Sequence, residues 1–317
     1  MSTAPHRIDV HVHAIPEAYK QASQRAGQGA TISTGFPAWS PELQLEFMDR
    51  HGIAVAINSI SQPGAHFGND ADAAVLARKI NIDAAALNAA HPTRFGAFAV
   101  MPLPNVGGAL DEIAYSLDVL KLDGVGLLAS YNGVFLGDPL FDPVLAELDR
   151  RGSAVIIHPA LPPSSRTLST DYPGFMAEFT IDTTRAVTHM IFSGTMEKFP
   201  NIKFILSHAG GTIPFLSFRL SMAPLIDRKR FGHRTPEWVM QQVRAFYYDT
   251  AISAGPQTFG ALDHVSDPEK ILFGSDWPYC PDAVADRCTS GLAACLPPER
   301  LAAVERGNAL KLFPRFA

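Results

Sequence analysis

The sequence predicts an α/β fold of the (β/α)8 barrel type, in a single domain over residues 1–317, on three observations. Apolar, β-rich runs alternate with helix-like stretches eight times, the pattern of parallel βαβ units rather than of separate strand and helix blocks. The last residues of several such runs are polar and of one chemical kind, namely His11, His13, His158, His208 and Asp276. Parallel barrels build their active sites from the carboxyl ends of strands, so these five would share one rim. With 47% hydrophobic and 18% charged residues in 317, the chain can bury a large core. One barrel of about 250 residues with insertions suits it better than two ordinary domains.

Taken in order, the strand-like runs end near His13, Asn58, Val100, Ala129, His158, His208, Thr250 and Asp276. Between and after them, helical periodicity covers 41–51, 71–90, 107–120, 138–150, 182–199, 212–226, 255–264 and 281–295. Two boundaries carry explicit stops: Asp49-Arg50-His51-Gly52 and Asp149-Arg150-Arg151-Gly152 place charges and then a glycine before an apolar strand, the usual end of a helix. Longer insertions follow the first strand (14–40) and the fifth (160–179), on the rim of the histidines, where substrate pockets are made. Phe36, Trp39, Phe175, Trp277 and Tyr279 lie near that rim and are candidates to wall a pocket for a planar ring. Trp277 is the strongest of these, because it directly follows Asp276.

Composition narrows the function classes. A net charge of −5, a pI near 6.1 and the absence of any Lys/Arg run exclude a nucleic-acid or anionic-membrane surface. The first residues lack a basic stretch followed by an apolar one, and no segment reaches the roughly 18 apolar residues of a membrane span, so a cytoplasmic protein is expected. Cys280, Cys288 and Cys295 are too few for a disulfide framework, and their spacing matches no zinc pattern.

The clustered polar residues point to a metal. Alternation along the first strand puts Asp9, His11 and His13 on one face, toward the barrel interior. A lone strand-end histidine is more often a packed core residue, but two at i and i+2 with partners at other strand ends are natural ligands. His158 and Asp276 complete a set of three imidazoles and one carboxylate, suited to a single divalent ion such as Zn²⁺ or Mn²⁺ with positions left for water or substrate. Asp9, deeper in the strand, is expected to orient a ligand rather than bind. His208, before Gly210-Gly211, offers an imidazole able to exchange protons near neutral pH.

The motifs Ile8-Asp9-Val10-His11-Val12-His13, Ser40-Pro41-Glu42-Leu43 through Gly52, His158-Pro159, Asp182-Thr183-Thr184-Arg185, Ser207-His208-Ala209-Gly210-Gly211 and Ile271-Leu272-Phe273-Gly274-Ser275-Asp276 run over nearly the whole chain. Together they resemble the metal-dependent amidohydrolase superfamily, in the branch of aminocarboxymuconate semialdehyde decarboxylase and the ortho-hydroxybenzoate decarboxylases. The resemblance implies that His11, His13, His158 and Asp276 hold one metal, while His208, with Asp276, acts on the substrate. No lysine stands on the fourth strand, which favours a mononuclear site.

It also implies a small-molecule carboxylate substrate, bound by Arg219 reaching a neighbouring subunit's site in a homodimer. Arg185 is read as structural. Gln44 stands where a second carboxylate-binding arginine is expected in the aminocarboxymuconate enzymes, which favours a salicylate-like monocarboxylate. The expected activity is a carboxy-lyase reaction, the nonoxidative decarboxylation of a small aromatic or conjugated acid. The competing readings are a metal-dependent hydrolase of a lactone or amide, and a noncatalytic metal-binding barrel.

Overall fold

Short β-branched runs separated by capped amphipathic helices fold into a parallel barrel in the computed structural model, which describes residues 5–28, 35–167 and 172–317. Its strands are β1 Arg7–His13, β2 Ile53–Ser59, β3 Phe95–Val100, β4 Gly124–Leu128, β5 Ala154–His158, β6 Lys203–Leu206, β7 Tyr247–Asp249 and β8 Ile271–Leu272. They are hydrogen-bonded in that order. The residues after β8 close the circle against β1: Val10 N donates to Phe273 O (3.0 Å), Asp276 N to His11 O (2.8 Å) and His13 N to Trp277 O (2.7 Å). Gly274 permits this, since a Cβ there would lie 2.8 Å from that of His11.

The longer described helices are α1 Glu17–Arg25, α2 Pro41–Arg50, α3 Asp70–Ala90, α4 Val106–Ala114, α5 Asp142–Arg151, α6 Glu178–Phe192, α7 Ile213–Ser221, α8 Pro236–Ala245, α9 Pro256–Val265 and α10 Asp282–Cys295. Ser40, Asn69 and Thr235 cap α2, α3 and α8 through side-chain acceptors. The two expected stops hold: Gly52 and Gly152 adopt φ of 64° and 61°. The predicted helix 182–199 instead starts at Glu178 and breaks at Gly194, where φ is 79°. The stretch 212–226 is likewise two helices, Ile213–Ser221 and Ala223–Ile226. Helices α1 and α8, and the short C-terminal helices from Pro298 to Leu312, lie outside the predicted set. Thr235-Pro236, a cap followed by a first-turn proline, is the legible signal for α8.

The alternation expected in β1 is interrupted. Asp9 pairs with Ala56 but Val12 with Asn58, so β1 spends an extra residue against β2, a bulge that re-aims side chains. Ile8 and Val10 pack with Val55, Ile57, Phe98, Ile156, Ile205 and Leu272 inside the barrel, where Phe313 and Phe316 close the lower end. A larger apolar layer, including Phe47, Met48, Ile113, Leu145 and Met190, lies between strands and helices. Parts of both rim insertions, 29–34 and 168–171, lie outside the described residues. No described helix is long and apolar enough to cross a membrane.

Candidate metal centre and substrate pocket

Backbone geometry brings the polar rim residues together. His208 and Asp276 follow their strands with φ of 53° and 63°, left-handed values that are uncommon outside glycine and mark sites where the fold imposes a direction. Gly211 lets the turn after His208 press on the Thr180 carbonyl of α6, where any Cβ would clash. Asp249, fully buried at the end of β7, ties the centre together. Its Oδ1 accepts from the backbone N–H of His208 (2.9 Å) and of Ala251 (3.0 Å), and its Oδ2 accepts from His11 Nδ1 at 2.7 Å. Asp9 acts on a ligand residue through its backbone. It accepts the N–H groups of His11 in β1 and of Ser275 in the segment after β8, bracing the backbone that carries two of the site residues.

Three histidines have their outer nitrogen fixed. Nδ1 of His11 faces Asp249, Nδ1 of His13 lies 3.1 Å from Ser59 Oγ, and Nδ1 of His158 donates to Pro159 O at 2.8 Å. Their Nε2 atoms are left for the interior, the arrangement that orients metal-binding imidazoles. His11 Nε2 lies 3.2 Å from His13 Nε2 and 3.4 Å from Asp276 Oδ1, and His13 Nε2 is 3.1 Å from that same oxygen. Donor atoms of His11, His158, His208 and Asp276 all lie within 4.8 Å of one another, so this cluster can hold a metal ion. His208 thus comes closer to the donor set than expected, its Nε2 standing 3.5 Å from Asp276 Oδ2. It differs from the other three in that its buried Nδ1 has no partner.

Electrostatics fit the same group. Burial opposes charge on His11, but Asp249 and Asp276 outweigh it and push its pKa up to about 10. Surroundings that hold a proton on this cluster suit a divalent cation in its place. Burial, reinforced by the neighbouring imidazoles, holds His158 well below the usual range and also lowers His13, so both are neutral donors. Burial acts against the Asp276 carboxylate, yet hydrogen bonds from His11, His13 and His208 keep it well below the ordinary carboxylate value. Three neutral or displaceable imidazoles and an ionised carboxylate are a fitting donor set for Zn²⁺ or Mn²⁺.

Above the cluster opens a cavity of about 420 Å³, lined by His158, His208 and Asp276 at its floor, a size ordinary for a small-molecule site. Phe175, Met176, Phe179 and Thr180 from the second insertion and α6 form part of the wall, with Ser61, Ile252, Ser253, Tyr279, Cys280, Pro281 and Val284 forming the rest. Of the aromatic candidates, Phe175 and Tyr279 therefore face the cavity. Trp277 stacks on Phe47 with ring centroids 5.2 Å apart, Phe36 packs on Tyr19, and Trp39 lines a separate cavity. Gln44 is buried between Trp39 and Asn58, hydrogen-bonded to both and away from the main cavity.

Arg219 is exposed on α7, and Arg185 is exposed on α6. Among the described residues no lysine or arginine lines the main cavity. Asp249, Ile252, Phe179 and Val284 were missed from sequence. Asp249 alone carried a signal, as a carboxylate at a strand's carboxyl end.

Comparison with known proteins places the chain in a family. A family model described as Amidohydrolase matches residues 8–315. A 6-methylsalicylic acid decarboxylase of Penicillium expansum is 40% identical over 315 residues, covering 98% of this chain and 96% of that one. The crystal structure of 5-carboxyvanillate decarboxylase from Sphingomonas paucimobilis matches with a TM-score of 0.82 at 25% identity, covering 98% of this chain and 99% of that one. The fold is shared too by 5-carboxyvanillate decarboxylase from Novosphingobium aromaticivorans, complexed with manganese, at a TM-score of 0.85 and 20% identity over 98% and 96% of the two chains. Matched along nearly its whole length by the family model and by relatives of one kind, the chain belongs to the amidohydrolase family, in the branch of the hydroxybenzoate and aminocarboxymuconate semialdehyde decarboxylases.

Proposed function

We propose that this protein is a metal-dependent nonoxidative decarboxylase of a small ortho-hydroxybenzoate, with 6-methylsalicylate, the acid for which two of its relatives are named, as the first candidate. The observation that carries the reading is the convergence of His11, His158, His208 and Asp276 on one point, three of them at the floor of a largely apolar cavity of a size for one substituted benzene ring, with His13 Nε2 3.1 Å from Asp276 Oδ1. His11, His13, His158 and Asp276 are the ligands of one ion, Mn²⁺ or Zn²⁺, and His208 is reserved for the substrate because its Nδ1 has no partner to fix it. When bound, such an ion anchors and polarises a carboxylate and its neighbouring hydroxyl.

The chain's own residues do the rest. Phe175, Phe179 and Tyr279 hold the ring and exclude water. His208 delivers a proton to the ring carbon that bears the carboxylate, the carbon–carbon bond then breaks, and its electron pair restores the aromatic ring as CO₂ leaves. Solvent reprotonates His208. The buried Asp249, through the His208 and Ala251 amides and the His11 ring, keeps donor and metal ligand in register.

A carboxylate-binding cation is missing from the described lining of the cavity, which supports a homodimer in which Arg219 of a second copy supplies it. Arg219 lies beside Phe215 and Phe218, 81% and 72% exposed, and near Ile226, also 81% exposed, an apolar surface of the kind that subunits cover. A guanidinium there offers a carboxylate a bidentate partner.

The test is CO₂ release by Mn²⁺- or Zn²⁺-loaded protein from 6-methylsalicylate, 2,6-dihydroxybenzoate and 5-carboxyvanillate. Metal-dependent release, reduced about 100-fold or more in His208→Gln as expected for a lost proton donor, supports the proposal. Hydrolysis of a lactone or amide by the same preparation, with no CO₂ from any acid, overturns it.

A further inference from the structure

Ile252 stands in the cavity wall at φ 49°. A β-branched residue in the left-handed region is strained, and such strain persists only where the surroundings over-determine it. Here they do. The Asp249 carboxylate holds Ala251 N at 3.0 Å, and Ser253 N donates to Thr250 O at 3.0 Å. Gly291 of α10 lies so close to Ala254 O that no other residue fits.

The fold gains little from the side chain so placed, since Ile252 is 48% exposed. Asn or Gly would relieve the backbone at no cost in core packing. A strained, half-exposed isoleucine that serves neither backbone nor core is explained by what it presents to the cavity. It contributes apolar surface to the wall of the cavity that Val284 of α10 also lines.

We propose that Ile252 is the specificity-determining residue of this pocket, selecting a ring with an alkyl substituent next to the carboxylate over one with a hydroxyl at that place. The inference rests on the decarboxylase reading above. A methyl group against Ile252 and Val284 removes apolar surface from water, whereas a hydroxyl there loses its hydration without gaining a partner. Discrimination by one such group is about 10–200-fold.

The experiment compares 6-methylsalicylate with 2,6-dihydroxybenzoate in wild type, Ile252→Asn and Ile252→Gly. Two readouts are taken on metal-loaded protein, the ratio of kcat/KM values for CO₂ release and the ratio of Kd values by equilibrium dialysis. The expected result is a thermal midpoint no lower than wild type in Ile252→Asn, because the strain is gone, with the preference for the methyl ring falling by at least about 10-fold in both ratios. Ratios unchanged in both variants would overturn the role of Ile252. If wild type binds the acids but releases no CO₂, the decarboxylase reading fails while the Kd ratios still judge Ile252; if it binds neither acid, both fall.

Discussion

Replacing Asp249 by asparagine isolates the group that organises the candidate metal centre. The substitution keeps the shape, and the amide oxygen can still accept from His208 N and Ala251 N, at 2.9 and 3.0 Å in the wild type. At the second position, 2.7 Å from His11 Nδ1, an acceptor becomes an N–H₂ donor. His11 must then turn its lone pair toward the new amide and place its proton on Nε2, where the ion would sit. One charge-assisted hydrogen bond is worth about 1.5–3 kcal/mol, and tenfold in affinity is about 1.4 kcal/mol, so Mn²⁺ affinity should fall about 10–100-fold.

The assay is a Mn²⁺ titration by calorimetry on apo protein, alongside circular dichroism and thermal unfolding to confirm that the fold survives. Asp249→Ala is the control: it orphans the two amides as well and should lose stability in addition. An Asp249→Asn protein that binds Mn²⁺ with wild-type affinity would refute the reasoning, since the tautomer argument would then be wrong.

The remaining expectations concern other parts of the site. Arg219→Ala should leave the thermal midpoint nearly unchanged, because the side chain is exposed, yet lower kcat/KM for an aromatic carboxylate by about 10-fold or more, the worth of one charged hydrogen bond. A strictly monomeric, fully active protein by analytical ultracentrifugation would remove that role. Asp182 braces the second rim insertion, accepting from Ala160 N at 2.8 Å and Ser130 Oγ at 3.2 Å, and burial pushes its pKa up to about 6. A folded pKa above the unfolded one means that the contribution is full below pH ~4 and is lost as pH rises through about 6. At about 1.4 kcal/mol per unit, a two-unit shift amounts to about 3 kcal/mol. The stability of Asp182→Asn relative to wild type should therefore improve by up to that amount between pH 4 and 7.5 in urea titrations, and a pH-independent difference would count against it. Gln44→Arg should bury an unpaired charge between Trp39 and Asn58, destabilising the fold without creating activity on a dicarboxylate, which thermal unfolding and CO₂ release can check.

The barrel and its rim were legible because strand ends in this chain are marked by chemistry as well as by period. His158, followed by Pro159, and His208, followed by Ala209 and two glycines, stop their strands where the side chains are needed. What could not be read locally were contacts made at long range. Asp249 pairs with His11 across 238 residues of sequence, and nothing near either position announces the partner. The bulge in β1 also defeats simple alternation. Period 2 puts Asp9, His11 and His13 on one face, whereas the extra residue before Val12 breaks that alternation, and Asp9 meets the backbone amide of His11. Trp277 shows the same limit in another form. Adjacency to Asp276 fixes where its backbone lies, but the φ of 63° at Asp276 sends successive side chains apart, one to the cavity and the other onto Phe47. Ile252 gives no sequence signal, because positive φ in a β-branched residue is imposed by its neighbours and opposed by its own preference.

The most direct test of the central claim is the fate of one ring proton. Metal-loaded protein is incubated with 6-methylsalicylate in D₂O, and the product is examined by proton NMR and mass spectrometry. The expected product is 3-methylphenol carrying a single deuterium at the carbon between hydroxyl and methyl, formed with one equivalent of CO₂ and at a rate cut about 100-fold or more in His208→Gln. Recovery of unchanged acid under conditions where the same preparation opens a lactone or amide would contradict the account.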